Sequence, residues 1–392
     1  MPLHPLTKSI PRWVTVPQNI SEPVVLCQCV LARNLAGFNF PGRCHEEERR
    51  VVESRILNVL EKIFPHSEGR YYSASDLDVN MMRFLAERRI APYEFLGAHG
   101  TRGIYVAKEQ SLTIVVNMTD HLQFRVVSSG EPLSRLWETV DALDTQFGSL
   151  LDYAYHEQLG YLTSSLRLVG TGLKFSVLLH LPAIAMLGET PRITGLLQPK
   201  RLSFRGLVLG EPRPLPAAPA QGSGSLAAEI EPVSFQSMYL DTLGTLQTEA
   251  EQTIGNLFLL NSQDTLGVSE GECLFQIEQA VSTLVREEEQ ARERLLGSQR
   301  VALMDRIGRA LGIARSARLL GMREALMLAS MIRLAAAMGL VTGCNRNALN
   351  LALLECQQAH LQILRGIPPE PMALAPERAR MFRALFAGTE MN

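Results

Sequence analysis

The chain has 392 residues, of which 46% are hydrophobic and 20% charged, with 38 basic against 40 acidic residues for a formal net charge of −2. That length is enough for two domains with sizeable cores, and the charge balance argues against nucleic acid as the main partner. Cys27, Cys29, Cys44, Cys273, Cys344 and Cys356 form no disulfide framework, which points to a reducing, cytoplasmic setting. Residues 1–22 are proline-rich, lack an apolar core segment and are expected to be an extended leader without a signal peptide. A strand is expected over Pro23–Leu35, then helices over about Glu46–Phe64 and Asp76–Arg89, the second stopping before Ile90-Ala91-Pro92. Arg102–Val106 and Leu112–Asn117 read as strands, the latter strongly β-branched. Pro132–Glu157 carries apolar residues at helical spacing. Gly160–Lys174 is a polar, glycine-punctuated loop that feeds an apolar strand ending at Pro182.

Residues 208–246 are rich in Pro, Gly, Ala and Ser and read as a flexible surface insertion. Beyond about residue 268 the pattern is helical to the end. Glu272–Leu296 has apolar spacing with a charged tail in which Glu288 and Arg292 are an i,i+4 pair, and the run Glu287-Glu288-Glu289 reads as a solvated face. Gly321–Gly339 is apolar almost all round, and Arg333 interrupts its most apolar run, so it reads as a buried helix and no membrane span is expected. The expected division is therefore a leader (1–22), a larger α+β domain (23–267) and a helical C-terminal domain (268–392).

The Gly160–Pro182 stretch carries the clearest chemical signal. Hydroxyls, two glycines and a terminal cation can hold an anion or phosphate, with Gly170, Thr171 and Gly172 letting the backbone approach a ligand. The stretch resembles the substrate loop of the guanidino phosphotransferases, the phosphagen kinase superfamily, and within them the bacterial protein-arginine kinases. Their segment runs GYLTSCPTN, one variable residue, GTGLRAS, an apolar strand and HLP. Further landmarks follow in order: Leu31-Ala32-Arg33-Asn34, Phe40-Pro41-Gly42-Arg43, Asp120-His121, Asp152-Tyr153-Ala154-Tyr155, Arg205-Gly206-Leu207 and Gly255-Asn256 through Glu270. The resemblance implies an antiparallel sheet flanked by helices, followed by an all-helical domain.

It also implies where the chemistry would sit, and there the residues differ. The family's glutamate, which orients the attacking guanidinium, falls on Thr119, and its reactive cysteine on Ser165. A guanidinium is protonated far above neutral pH and needs a carboxylate to act as a nucleophile, which Thr119 cannot supply. The nucleotide-binding arginines fall on Gln28, Val30 and Gln123, and another phosphate-binding arginine on Lys174; Arg205 keeps its position. Arg125 is a candidate replacement for the arginine at 123, although we expect it on the opposite strand face; a rearranged site would draw on Arg125, Arg167, Lys174, Arg205 and Glu249. Glu249 lies where the family's closing loop bears a glutamate. In the C-terminal domain the family's phosphoarginine-sensing motif falls on residues 379–384, where Arg383 and Ala384 match it, and Arg378 and Arg380 read as a basic surface.

Two functions follow from the resemblance. The first is a degenerate protein-arginine kinase, a pseudokinase that acts by binding protein in a stress or proteolysis pathway. The second is an active kinase moving the ATP γ-phosphoryl to protein arginine through a rearranged site, with ATP and Mg as cofactors. The implied partners are a zinc-binding kinase activator, a Clp-type unfoldase, protein arginine or phosphoarginine, and a second copy of the chain. A small-molecule guanidino kinase fits less well because of the helical C-terminal domain. No resident metal site is expected: Cys27, Cys29, Cys44 and His45 have ligand chemistry, but Cys27 and Cys29 read as core residues of a strand. His121 and His180 read as structural.

Overall fold

A computed structural model describes residues 3–16, 22–65, 67–206, 253–263 and 265–392. Insertion 208–246 and Glu249 lie outside the described residues. The strands are β1 (Val24–Arg33), β2 (Gly69–Ser73), β3 (Gly103–Ala107), β4 (Leu112–Val116), β5 (Leu122–Ser128), β6 (Tyr155–His156), β7 (Gly160–Tyr161), β8 (Leu173–His180), β9 (Leu202–Gly206), β10 (Leu257–Ser262), β11 (Val341–Thr342) and β12 (Glu390–Met391). The helices are α1 (His4–Thr7), α2 (Glu46–Ile63), α3 (Val79–Glu87), α4 (Leu133–Gly148), α5 (Pro182–Met186), α6 (Thr190–Leu197), α7 (Glu270–Ser316), α8 (Met322–Ala337), α9 (Arg346–Glu355), α10 (Gln358–Arg365) and α11 (Pro371–Phe386). As expected, an antiparallel sheet is flanked by helices and followed by a helical region, α7–α11.

The main sheet has eight strands in the order β2-β3-β4-β5-β1-β8-β10-β9. Its centre is β1, which pairs antiparallel with β5 on one side and β8 on the other. Alternation along β1 sends Cys27, Cys29 and Leu31 to one face, where they join Phe124, Phe175 and Val177 beneath α2, α4 and α7. Burial pushes the Cys27 thiol up to about 12 and the Cys29 thiol upward as well, so both behave as small apolar residues. The described residues hold no cluster of three metal-ligating side chains, and Cys44 is not in the core cluster with Cys27 and Cys29.

The opposite face is covered in part. There Ile104, Val106 and Val115 pack under Phe84 and Leu85 of α3 together with Leu3 and Leu6. Residues 3–16 of the leader are thus packed against the sheet rather than extended: Leu3 and Leu6 bury, and Trp13 packs on Leu26, Val127 and Leu178 while donating Nε1–H to Arg88 O (3.0 Å). Its apolar residues outweigh its prolines.

Two other expectations need correction. Helix α4 stops at Gly148 instead of running to Glu157. The backbone beyond it is claimed by the end of β1, where Ala36 N–H donates to Asp152 O (2.9 Å) and Ala154 N–H to Asn34 O (2.7 Å). Glu288 is buried, not solvated. Its carboxylate accepts from the Ala183 and Ile184 amides at the start of α5 (both 3.1 Å) and from Arg292 Nε (3.1 Å).

In the C-terminal region, Leu311, Ile332, Leu361, Phe382 and Phe386 form a second core. Helix α7 is interrupted at Gln299, whose φ of −134° is not helical. The region is fastened to α3 by a buried network. Glu87 accepts from the Ala359 and His360 amides (3.0 and 3.2 Å) and from His360 Nδ1 (2.7 Å), while Arg88 Nε donates to His360 Nε2 (3.2 Å). Among the described residues no helix is long and apolar enough to cross a membrane.

Candidate functional site

The loop at residues 160–172 is held by side chains that reach it from β1 and from the β4–β5 turn. Asp120 is fully buried and accepts through Oδ1 from Asn34 Nδ2 and from the Ser164 amide, both at 2.7 Å. Ser164 Oγ donates to Thr119 O (2.6 Å), so the structure brings the turn bearing Thr119 against the loop bearing Ser165. Neither position has a carboxylate or a thiol. Asn34 Oδ1 accepts from His121 N–H (2.9 Å), and His121 Nδ1 accepts from Leu35 N–H (3.1 Å). His121 is therefore neutral, with Nε2–H directed at Asn39 O (3.0 Å), and burial lowers its pKa to about 4.

Arg33 is the other anchor. Its guanidinium forks onto Asp144 (Nε to Oδ1 3.1 Å, Nη2 to Oδ2 2.6 Å), donates through Nη1 to Ala32 O and Thr171 O (2.9 and 2.8 Å), and stacks 3.6 Å over the Tyr161 ring. These contacts explain the glycines. A Cβ on Gly172, at φ +73°, would lie 2.5 Å from Ala32 O, and one on Gly170, at φ +112°, would lie 2.8 Å from Thr265 O. The glycines let the loop approach the chain's own backbone, not a ligand. Their amides donate to Tyr161 O (3.1 Å) and Leu168 O (2.9 Å) and are not available to a phosphate.

Cations gather instead on the more open sheet face. Val30 is paired with Arg125 on β5 and with Lys174 on β8; Gln28 is paired with Ser176, and Ala32 with Gln123. Directly paired residues point to the same face, so Gln28, Val30, Gln123, Arg125 and Lys174 all share it. Arg125 lies two residues from Gln123 and cannot be on the opposite face; our expectation there was wrong, because strand side chains repeat every two residues. Arg205, exposed on β9, reaches the same face through the pairs Arg205–Leu259, Leu259–Leu178 and Leu178–Leu26.

The sequence pattern missed two members of this group. Arg89, at φ +62° just beyond α3, and Glu94 both interact electrostatically with Arg125. Their segment is tied to the face where Thr113, the β4 neighbour of Arg125, donates its hydroxyl to Ile90 O (3.1 Å). Burial lowers the Arg125 pKa to about 10, with Glu94 opposing the shift and Arg89 adding to it. Lys174 is lowered by burial and then by Arg125. Arg125 Nε is buried without a hydrogen-bond partner. A helix end carrying Arg88-Arg89 before Ile90-Ala91-Pro92 was visible in the sequence, but only the tertiary fold aims it at Arg125.

The C-terminal arginines do not form a basic surface. Arg378 is buried, with Nε donating to Cys356 O (2.8 Å); Arg380 pairs with Glu377 (2.6 Å); Arg383 donates to Ala317 O. Each is committed to a neighbour within the helical region.

Comparison with known proteins places this arrangement. Residues 51–214 match the family model described as ATP:guanido phosphotransferase, C-terminal catalytic domain, and residues 300–392 match the protein-arginine kinase McsB C-terminal domain. Over these residues the chain is similar to the ATP:guanido phosphotransferases and, at its C-terminal end, to the protein-arginine kinases. It is 28% identical over 354 residues to the protein-arginine kinase of Clostridium acetobutylicum, covering 90% of this chain and 92% of that protein. It is 29% identical over 380 residues to that of Moorella thermoacetica, covering 96% and 97%. Among solved guanido phosphotransferase structures, a lombricine kinase has a TM-score of 0.50 at 19% identity, covering 72% of this chain and 70% of that one. The duplicated taurocyamine kinase of Schistosoma mansoni has a TM-score of 0.54 at 18% identity, covering 82% of this chain and 40% of that one. These structural likenesses concern the fold alone.

The fit to a nucleoside triphosphate is uneven. Its phosphates would meet Lys174, Arg125 and Arg89, and the buried, unpartnered Arg125 Nε is a donor an anion would satisfy. Gln28, Val30 and Gln123 provide no fork on that face, and the Gly170 and Gly172 amides are occupied. ATP, were it bound, would supply the transferable phosphoryl group, and Lys174 and Arg125 are the residues that would hold its phosphate charge.

Proposed function

We propose that this chain has lost phosphoryl transfer to arginine and acts by binding, as a pseudokinase. The observation that carries this reading is the pair of facing segments at Thr119 and Ser165. They are held in register by Asp120 and Ser164 but offer no carboxylate or thiol to orient and deprotonate a guanidinium. Asp120 is no substitute, because it is fully buried and its Oδ1 is already bonded to Asn34 and Ser164. Loss of one transition-state donor costs on the order of 10²-fold in rate, and here several positions differ together. The partners in keeping with this reading are a kinase activator with bound zinc, a Clp-type unfoldase and a second copy of the chain, in the cytoplasm.

A second reading, an active kinase with a rearranged site, draws its support from the unpartnered Arg125 beside Lys174. The decisive experiment is transfer of labelled γ-phosphate from Mg-ATP to an arginine-rich protein, with and without a candidate activator. Absence of acid-labile label is the expected result. Acid-labile, alkali-stable label that vanishes in Arg205→Ala and Lys174→Met variants would establish the second reading and remove the first.

A further inference from the structure

The face of the sheet opposite the cation group ends in an open cleft of about 600 Å³ between α4, the β6–β7 hairpin and the start of α7. Arg33 and Asp144 line it together with Trp137, Tyr155, Tyr161, Asp141, Asp152 and Glu270. Because Arg33 is odd-numbered on β1, it lies on the other face from Gln28 and Val30, so the cleft is separate from the candidate phosphate site.

Two independent properties meet in this cleft. The first is charge. Asp144 is neutralised by Arg33, whereas none of Asp141, Asp152 and Glu270 is in an ion pair among the described residues. The second is shape and surface. Aromatic rings line the cleft, and Tyr155 stands 59% exposed at its mouth, so its face is open to an incoming group. The same cleft already holds one guanidinium: Arg33 lies face-on to Tyr161 at 3.6 Å with its fork on a carboxylate. Aromatic faces next to carboxylates favour a flat, delocalised, weakly hydrated cation over a compact ammonium.

We propose that this cleft is a docking site for an arginine side chain of a partner polypeptide. The incoming guanidinium stacks on Tyr155 or Trp137 and takes Asp141 and Asp152 as its acceptors, leaving the Arg33–Asp144 pair undisturbed. Since Arg33 also donates to Thr171 O, the docked arginine lies next to the 160–172 loop. The inference does not depend on whether phosphoryl transfer survives, because its residues are distinct from those of the proposed phosphate site.

The test uses the full chain with Trp13→Phe, so that Trp137 is the sole tryptophan and reports from the cleft. A blocked pentapeptide with a central arginine between serines and glycines is titrated, alongside versions with citrulline, which is flat but neutral, and with lysine. The expected result is a saturable change in Trp137 emission with the arginine peptide. Binding should be roughly ten-fold weaker with citrulline, and weaker with lysine than with arginine. Asp141→Asn combined with Asp152→Asn should weaken arginine-peptide binding by roughly five-fold or more. Arg125→Met, on the other face, should leave it unchanged. Equal binding of citrulline or lysine, no effect of the double variant, or no saturable response would each overturn the proposal. Loss of binding in Arg125→Met would place the peptide on the candidate phosphate face, which also overturns it while leaving the binding role under Proposed function intact.

Discussion

The two ends of β1 differ in what their side chains serve. At its C-terminal end Arg33 and the following Asn34 hold backbone: Thr171 O, Ala32 O, Leu162 O and the His121 amide all end on these two residues. In its middle, Gln28 and Val30 face Arg125 and Lys174, two cations on which Glu94 acts as an opposing charge. The first end is a self-contained scaffold whose charges are paired inside the protein. The second is a surface whose charges call for a ligand. The scaffold can therefore stay intact while the chemistry at the surface changes, because the two share a strand but no hydrogen bonds.

The contrast predicts large stability effects at the scaffold end. Arg33→Ala should cost about 3–5 kcal/mol in urea unfolding, since it leaves Asp144 half-buried without its partner and Thr171 O without a donor. A loss below about 1 kcal/mol would show that the Arg33 network is not a structural anchor, and the comparison would fail at its stronger end.

His121 predicts a pH dependence of nearly the same size. Its pKa falls from 6.5 to about 4 because of burial, so the unfolded chain binds the proton first on acidification. Its contribution is fully present above pH 6.5 and is lost as pH falls toward 4, by at most about 3 kcal/mol. The physical cause is plain in the geometry: a proton on Nδ1 would face the Leu35 N–H. Glu288 has the opposite sign, since burial raises its pKa to about 7 and its ionisation lowers stability as pH rises toward that value. His180 is also lowered by burial and adds to the acid side. The diagnostic is therefore the difference between the parent and His121→Gln, which should have a shallower stability loss between pH 6.5 and 4. Parallel pH curves would show that His121 does not titrate out of the fold.

Much of the scaffold was legible in the sequence because it is written in local signals. Alternation along residues 24–33, the β-branched run at 112–116 and the helical spacing in 133–147 each determine their elements over short distances. The order of motif fragments then gave the fold. Three things were not legible. The end of α4 depends on backbone bonds to Asn34 and Ala36, a hundred residues away in sequence. Burial of Glu288 depends on where α5 begins, and a run of three glutamates alone looks solvated. Arg89 and Glu94 join Arg125 only because Ile90 O is bonded to Thr113. The face of Arg125 was a different case: counting by two from Gln123 would have placed it correctly from the sequence.

Gly172 tests the scaffold more gently. Gly172→Ala should cost about 1–3 kcal/mol, from a positive φ of +73° and a Cβ placed 2.5 Å from Ala32 O. Ligand binding on the phosphate face should change little, because the glycine serves loop packing. A stable Gly172→Ala protein with impaired anion binding would restore the original reading, in which this glycine clears space for a ligand.

The smallest stability effect, and the opposite in sign, is expected at the surface end. Arg125→Met removes a cation that is partly desolvated, lies beside Lys174 and Arg89, and has a buried Nε with no acceptor. An apolar side chain of similar length relieves that cost, so stability should hold or rise by roughly 1 kcal/mol. Binding of inorganic pyrophosphate, measured calorimetrically, should weaken by about ten-fold, since a charge-assisted contact contributes on the order of 1.5 kcal/mol. Arg33→Ala and Arg125→Met thus separate the two ends of one strand by sign: the first lowers stability, the second lowers anion affinity at no cost in stability. If Arg125→Met instead unfolds the protein and leaves pyrophosphate binding unchanged, Arg125 belongs to the scaffold. The phosphate site would then be reduced to Lys174 and Arg205, two cations on opposite sides of β10.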